Sequence, residues 1–150
     1  MSSKTKPRFK IIPAVYLILR NDSGEVLFMR RSNTGYMDGF FGLPSGHLEG
    51  CESLKQATIR ECWEEIGIKI LENDLNLLHI AHRYDKQDER MDFFFETKKY
   101  SGTFFNKEPH KCSEIKWLNI GDNEIIDYIK TVLYKIENLE NYSDFDFENK

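Results

Sequence analysis

No apolar run near the start of this sequence is long enough to cross a bilayer. The longest there, Pro13 to Leu19, stops at Arg20, far short of the roughly 20 residues a spanning helix needs. Cysteine is scarce: Cys51, Cys62 and Cys112 are an odd number at irregular spacings, with no C-x-x-C pair for a redox or zinc site. Reduced thiols in a cytoplasmic protein are the expectation. The basic opening, MSSKTKPRFK, is not followed by the apolar segment and small-residue cleavage site of a secretory signal. Positive charge is also in deficit. A net charge of -4 gives the chain no general attraction for nucleic acid or an anionic membrane. Internal repeats, low-complexity blocks and interdomain linkers are lacking too.

What is present suits one folded domain. A chain of 150 residues can remove about two-thirds of its unfolded surface from water. Its 11 Phe, 7 Tyr and 2 Trp supply large core-filling side chains. We read a flexible basic segment over 1–10, a domain over 11–140 and an acidic tail over 141–150.

Ala14 to Leu19 and Glu25 to Arg30 are strand-like runs separated by Asn-Asp-Ser-Gly, which predicts a hairpin. A loop rich in Gly, Asn and Asp follows Arg31 and is a candidate substrate surface. From Ser53 to Ile66 the pattern is helical: Ser53 and Gln56 make a capping box, Ala57, Cys62 and Ile66 lie on an apolar stripe, and Gly67 offers a left-handed cap. Strands are predicted over Leu75 to Ala81, Met91 to Thr97 and Glu114 to Ile120, and a second helix from near Asp122. Strands mixed with two helices imply a layered α/β or α+β fold.

Within the first helix Glu61, Glu64 and Glu65 project from one face. Like charges at that spacing oppose a helix, so the face is either well solvated or holds a divalent cation. Hard cations such as Mg²⁺ take oxygen ligands, which suits carboxylates together with substrate phosphates. The surrounding residues decide between these. Gly46, Glu52, Arg60, Glu61, Glu64, Glu65, Gly67 and Ile68 fit the pattern G-x5-E-x7-R-E-U-x-E-E-x-G-U, where U is a bulky aliphatic residue, over residues 46–68. The segment resembles the Nudix box, and the chain is similar to the MutT-like Nudix hydrolases. The one departure is Cys62, a small apolar residue at the first U position.

That resemblance implies a single-domain α/β/α sandwich with a mixed sheet. It implies Mg²⁺ or Mn²⁺ held by Glu61, Glu64 and Glu65, with Glu52 either assisting or pairing with Arg60 to fix the loop on the helix, and a carbonyl near Ser45 or Gly46 completing the site. Gly46, Arg60 and Gly67 would be structural. The local charge agrees, since five acids against two bases over residues 46–68 would repel a pyrophosphate without cations. Cations would acidify an attacking water and offset charge on the phosphoryl oxygens, with a carboxylate accepting the water proton. Glu64 and Glu65 inside the box and Glu108 outside it are candidates for that base, and Glu96 is a weaker one. Arg30 or Arg31 could clamp a phosphate, while Tyr36, Phe40 and Trp117 could stack on a base. His79 and His82, three apart in a predicted strand, face opposite sides and read as structural.

The resemblance implies a pyrophosphohydrolase acting on a nucleoside diphosphate linked to some group X. The chain looks most similar to the branch that converts nucleoside triphosphates, oxidised ones included, to monophosphate and pyrophosphate. AHRYDK lacks the proline of the ADP-ribose branch, and Tyr84 is a hint of the dinucleoside polyphosphate branch. A nucleotide-sugar hydrolase and a non-catalytic binding module are further alternatives. The isopentenyl diphosphate isomerase branch would need His, Cys and Glu positions that Cys51 and Cys112 do not supply. A nucleotide is the expected partner. Many similar enzymes are homodimers, although no motif here demands one.

Overall fold

The computed structural model describes residues 5–147. Of the two terminal segments set apart above, residues 1–4 and 148–150 lie outside the described residues.

Among the described residues eight strands form two sheets, and two α-helices cover them. The larger, mixed sheet has the order β4-β1-β6-β5-β8. In it β1 (Ile12–Leu19) runs parallel to β6 (Glu89–Thr97) and antiparallel to β4 (Ser45–His47), while β5 (Asn76–Tyr84) pairs antiparallel with β6 and parallel with β8 (Tyr142–Phe145). The smaller sheet sets β2 (Val26–Arg31) between β3 (Phe41–Gly42) and β7 (Cys112–Leu118), all antiparallel. α1 spans Leu54–Ile66 and α2 spans Asp127–Glu137.

Alternation along the central strands builds both cores. Val15, Leu17 and Leu19 of β1 and Leu27 and Met29 of β2 pack with Ala57, Cys62 and Ile66 of α1. Ile18, Val26 and Phe28 pack on the opposite side with Ile129, Val132 and Leu133 of α2. Strands buried on both faces read as continuous apolar runs, which is why AVYLIL and EVLFMR stand out in the sequence. The expected α/β/α sandwich with a mixed sheet is what forms. Cys62 is fully buried in its interior, so the departure from the box pattern sits in the core. Among the described residues no helix is long and apolar enough to cross a membrane.

Four local expectations are corrected. The turn between β1 and β2 forms, with Gly24 at φ +82° and Asn21 Oδ1 accepting from the Ser23 and Glu25 N–H groups, but the flanking strands do not make a hairpin. Only an isolated bridge, Arg20 to Val26, joins them, because each strand has both edges taken by other partners. The strands predicted over Leu75 to Ala81 and Met91 to Thr97 run further than expected, β5 to Tyr84 and β6 from Glu89, which leaves 85–88 as the connection. α2 starts at Asp127 rather than near Asp122, since Asp122 Oδ1 bonds the Glu124 N–H and the chain then pairs with Phe41 before turning helical. Finally, residues 142–145, inside the segment read as an acidic tail, form β8: Ser143 is buried and accepts or donates a 2.7 Å hydrogen bond with His79 Nε2.

Candidate active site

The helix that carries the acidic face is fixed at both ends. Gln56 N–H donates to Ser53 Oγ at 3.1 Å and Ser53 N–H to Gln56 Oε1 at 2.9 Å, the reciprocal bonds of a capping box. At the other end Gly67, at φ +72°, donates its N–H to the carbonyls of Cys62 and Trp63. A Cβ at Gly67 would also approach the Phe105 ring to 2.7 Å. With the apolar stripe of α1 turned to the core, Glu61, Glu64 and Glu65 line a cleft of about 590 Å³ against β4.

Arg60 organises this face. Its Nε and Nη2 meet the two oxygens of Glu52 at 3.0 and 2.8 Å, and its Nη1 meets Glu61 at 2.8 Å and Glu64 at 3.3 Å. Nη2 also donates to the His47 carbonyl of β4 at 3.1 Å. The fork holds the Glu52 carboxyl at a pKa of about 2, with the Glu49 N–H helping. Both oxygens of Glu52 are thereby occupied, and Glu52 does not line the cleft. Of the two roles left open above, this geometry suits the pairing of loop with helix.

Glu65 is half-buried. Burial pushes its pKa well up, the neighbouring Glu61 and Glu108 charges push it further, and a 3.2 Å bond from the Ser45 N–H works in the opposite direction. Burial also raises Glu61, against the lowering effect of Arg60. Glu108, from the loop before β7, lines the same cleft and forms no ion pair among the described residues. Gly46 of β4 stands so close to α1 that a Cβ there would overlap the Glu61 carboxylate.

These residues fit a hard divalent cation by their chemistry. Four carboxylates share one cleft, and Glu65 among them has its pKa pushed well up by burial and by its acidic neighbours, beside a backbone position kept free of a side chain. The side chains are not gathered as a chelate: among the described residues no group of three His, Cys, Asp or Glu converges on one point. Arg60 accounts for this by drawing Glu61 and Glu64 to itself.

The other sequence candidates separate cleanly. Arg30 also lines the cleft, but it is taken up by Glu114, Glu124, the Gly39 carbonyl and the face of Phe41. Arg31 donates its Nε to the Tyr36 carbonyl at 2.7 Å and is in no ion pair among the described residues, though it lines the cleft. Tyr36 borders a second cavity, while Phe40 is exposed and lines neither. Trp117 is half-buried and packs against the core, edge-on to Phe104 at 5.8 Å. Glu96 pairs with Arg20 at 2.8 Å and lines neither the cleft nor the second cavity. His79 bridges the Glu140 carbonyl and Ser143, and His82 packs on Phe147, so neither borders the cleft. Tyr84 lines neither this cleft nor the second cavity.

That second cavity, about 580 Å³, was not foreseen. It shares Arg31, Ser45, Gly46 and His47 with the first and is lined further by Tyr16, Arg83, Arg90, Tyr128 and Phe145. No local pattern could have revealed it, because β1, β5, β6, α2 and β8 each contribute a wall.

A family model described as NUDIX domain matches residues 10–136. Among curated proteins, the 8-oxo-dGTP diphosphatase of Proteus vulgaris is 32% identical over 81 residues, 54% of this chain and 71% of that protein. The 8-oxo-dGTP diphosphatase of Escherichia coli strain K12 is 37% identical over 51 residues, 34% of this chain and 40% of that protein. Among solved structures, a MutT NUDIX hydrolase from Burkholderia pseudomallei superposes with a TM-score of 0.75 at 21% identity, covering 84% of this chain and 98% of that one. The MutT protein from Methanosarcina mazei Go1 gives 0.73 at 22% identity, covering 89% and 97%. At these identities the solved structures speak to the fold.

Proposed function

The chain belongs to the NUDIX family, and on that premise we propose that it is a Mg²⁺-dependent pyrophosphohydrolase converting a nucleoside triphosphate, oxidised ones included, to monophosphate and pyrophosphate. The observation that carries this reading is the cleft in which Glu61, Glu64, Glu65 and Glu108 face Arg31 and Lys111. The names of the two curated relatives support the substrate class.

Glu61, Glu64 and Glu65 would hold the cation. Bound there, it would neutralise phosphate oxygens and acidify the attacking water. Glu65, fixed by the Ser45 N–H, keeps one oxygen aimed from α1 to β4. Arg60 anchors Glu61 and Glu64 until substrate and cation compete for them. Glu108, which lines the cleft and is in no ion pair among the described residues, accepts the water proton. Arg31 clamps a phosphate, since its guanidinium carries no carboxylate partner among the described residues. A cytoplasmic location goes with this reading, as do the free thiols of Cys51, Cys62 and Cys112.

The test is a substrate panel of ordinary and 8-oxo nucleoside triphosphates, ADP-ribose and dinucleoside polyphosphates, with products resolved by chromatography. Monophosphate plus pyrophosphate from a triphosphate is the expected result. Preferential cleavage of ADP-ribose or of a dinucleoside polyphosphate would replace the triphosphate reading.

A further inference from the structure

Glu108 stands on the stretch 106–112, and a loop holds a side chain in place only where its own backbone groups are tied down. On the incoming side the Phe105 N–H donates to the Ile66 carbonyl at 3.0 Å and the Lys107 N–H to the Glu65 carbonyl at 3.1 Å, which stitches the chain to the last residues of α1. On the outgoing side the stretch enters β7 at Cys112, which is buried and paired with Arg31 of β2. Glu108 and Lys111 line the cleft from between these two anchors.

Asn106 bridges the anchors with one side-chain amide. Its Oδ1 accepts the Glu108 N–H at 3.0 Å, the bond to a residue two further on that makes an Asx turn, and its Nδ2 donates to the Cys112 carbonyl at 2.6 Å. The Glu108 carbonyl in turn accepts the Lys111 and Cys112 N–H groups, both at 2.9 Å, and Pro109 narrows the backbone choices of the residue before it. The far end of the turn is held by other groups. Asn33 Nδ2 donates to the His110 carbonyl at 3.1 Å, and the Ser32 N–H donates to the Lys111 carbonyl at 2.9 Å.

Two sets of bonds therefore serve two side chains of one turn: Asn106 acts on Glu108, while Ser32 and Asn33 act on Lys111. Their demands on geometry differ. A general base works only within hydrogen-bond reach of the proton it takes, whereas the attraction of an ammonium for phosphate falls off gradually with distance. Loosening the Glu108 end alone costs turnover and spares binding. We propose that Asn106 is a positioning residue for the reaction, coupling Glu108 to the end of α1 so that the proton acceptor and the carboxylates of α1 keep one fixed spacing. The proposal rests on the reading above, in which Glu108 accepts the water proton, and adds the residue that holds it there.

The test is a double-mutant cycle on the full chain. Turnover is measured in Mg²⁺ on the triphosphate cleaved fastest in the panel above, and amide hydrogen exchange is followed by NMR without added metal. Asn106→Ala should lower kcat by about 10–100-fold and leave KM within about twofold. In a Glu108→Gln background the same substitution should cost less than about twofold in kcat, because the proton acceptor it positions is already gone. Exchange at the Glu108 amide should rise about tenfold or more in Asn106→Ala, while the Phe105 and Lys107 amides, bonded to α1, stay protected. If Asn106→Ala does not fold, Asn106→Ser, which keeps an acceptor for the Glu108 N–H and gives up the donor to Cys112, takes its place with a smaller loss of about three- to tenfold. An equal loss in both backgrounds, a rise in KM in place of the fall in kcat, or an unchanged exchange rate at Glu108 would overturn the proposal. A fully active Glu108→Gln would remove the base reading and the positioning role together. A slow Glu108→Gln with additive losses would remove the positioning role alone.

Discussion

Arg60 grips both oxygens of Glu52, Nε to Oε2 at 3.0 Å and Nη2 to Oε1 at 2.8 Å, and so ties the loop before α1 to the helix's acidic face. This pair makes Glu52 a positioning residue. Its pKa, ordinarily 4.5, is about 2 in the folded chain. A folded-state value below the unfolded one means the pair stabilises the protein fully above the ordinary value, and that this contribution is lost as pH falls through the folded one. Side-chain NMR of the glutamates should therefore show one carboxyl still ionised near pH 3, assigned by its disappearance in Glu52→Gln. A Glu52 that titrates at its ordinary value would show the fork to be absent in solution.

Glu108→Gln removes the proposed base while keeping shape and hydrogen-bonding reach. Turnover should drop by about 10²–10⁴-fold, with little change in KM or in cation binding. If cation binding drops as well, Glu108 is a ligand rather than the base.

Two glycines of the box are required for different reasons. Gly46→Ala sets a methyl group against the Glu61 carboxylate and should weaken cation binding by about 10–100-fold while leaving the unfolding midpoint nearly unchanged. Gly67→Ala forces a side chain to φ +72° beside Phe105 and should lower stability by about 1–2 kcal/mol. Urea unfolding and Mn²⁺ titration of both variants separate the effects, and identical behaviour would contradict the account.

Arg30 and Arg31 adjoin in sequence but differ in work. Arg31→Ala should raise KM about tenfold or more, the loss expected for a charged hydrogen bond to phosphate. Arg30→Ala breaks pairs with Glu114 and Glu124 and should lower thermal stability with a smaller effect on KM. Steady-state kinetics on both variants decides between them.

What the sequence disclosed follows the range of the forces involved. α1, its capping box, the Gly67 cap and the shared face of Glu61, Glu64 and Glu65 are set within a few residues and were legible. The hairpin was misread because a turn is local whereas the choice of strand partner is not: β1 and β2 each found two better edges. Arg30 could not be told from Arg31 until the register placed Glu114 opposite Arg30. β8 was hidden because its polar, acidic stretch gains order from pairing with β5 and from the His79 to Ser143 bond, contacts made across the fold.

The α1 cleft should hydrolyse a phosphoric anhydride only with a divalent cation in place. The most direct measurement is pyrophosphate release from 8-oxo-dGTP by the native chain and by Glu65→Gln, each with Mg²⁺ and with excess chelator. The native chain should be active with Mg²⁺, silent with chelator and restored when Mg²⁺ is returned, while a folded Glu65→Gln should be slower by about a hundredfold or more. Release that persists in chelator, or a fully active Glu65→Gln, would contradict it.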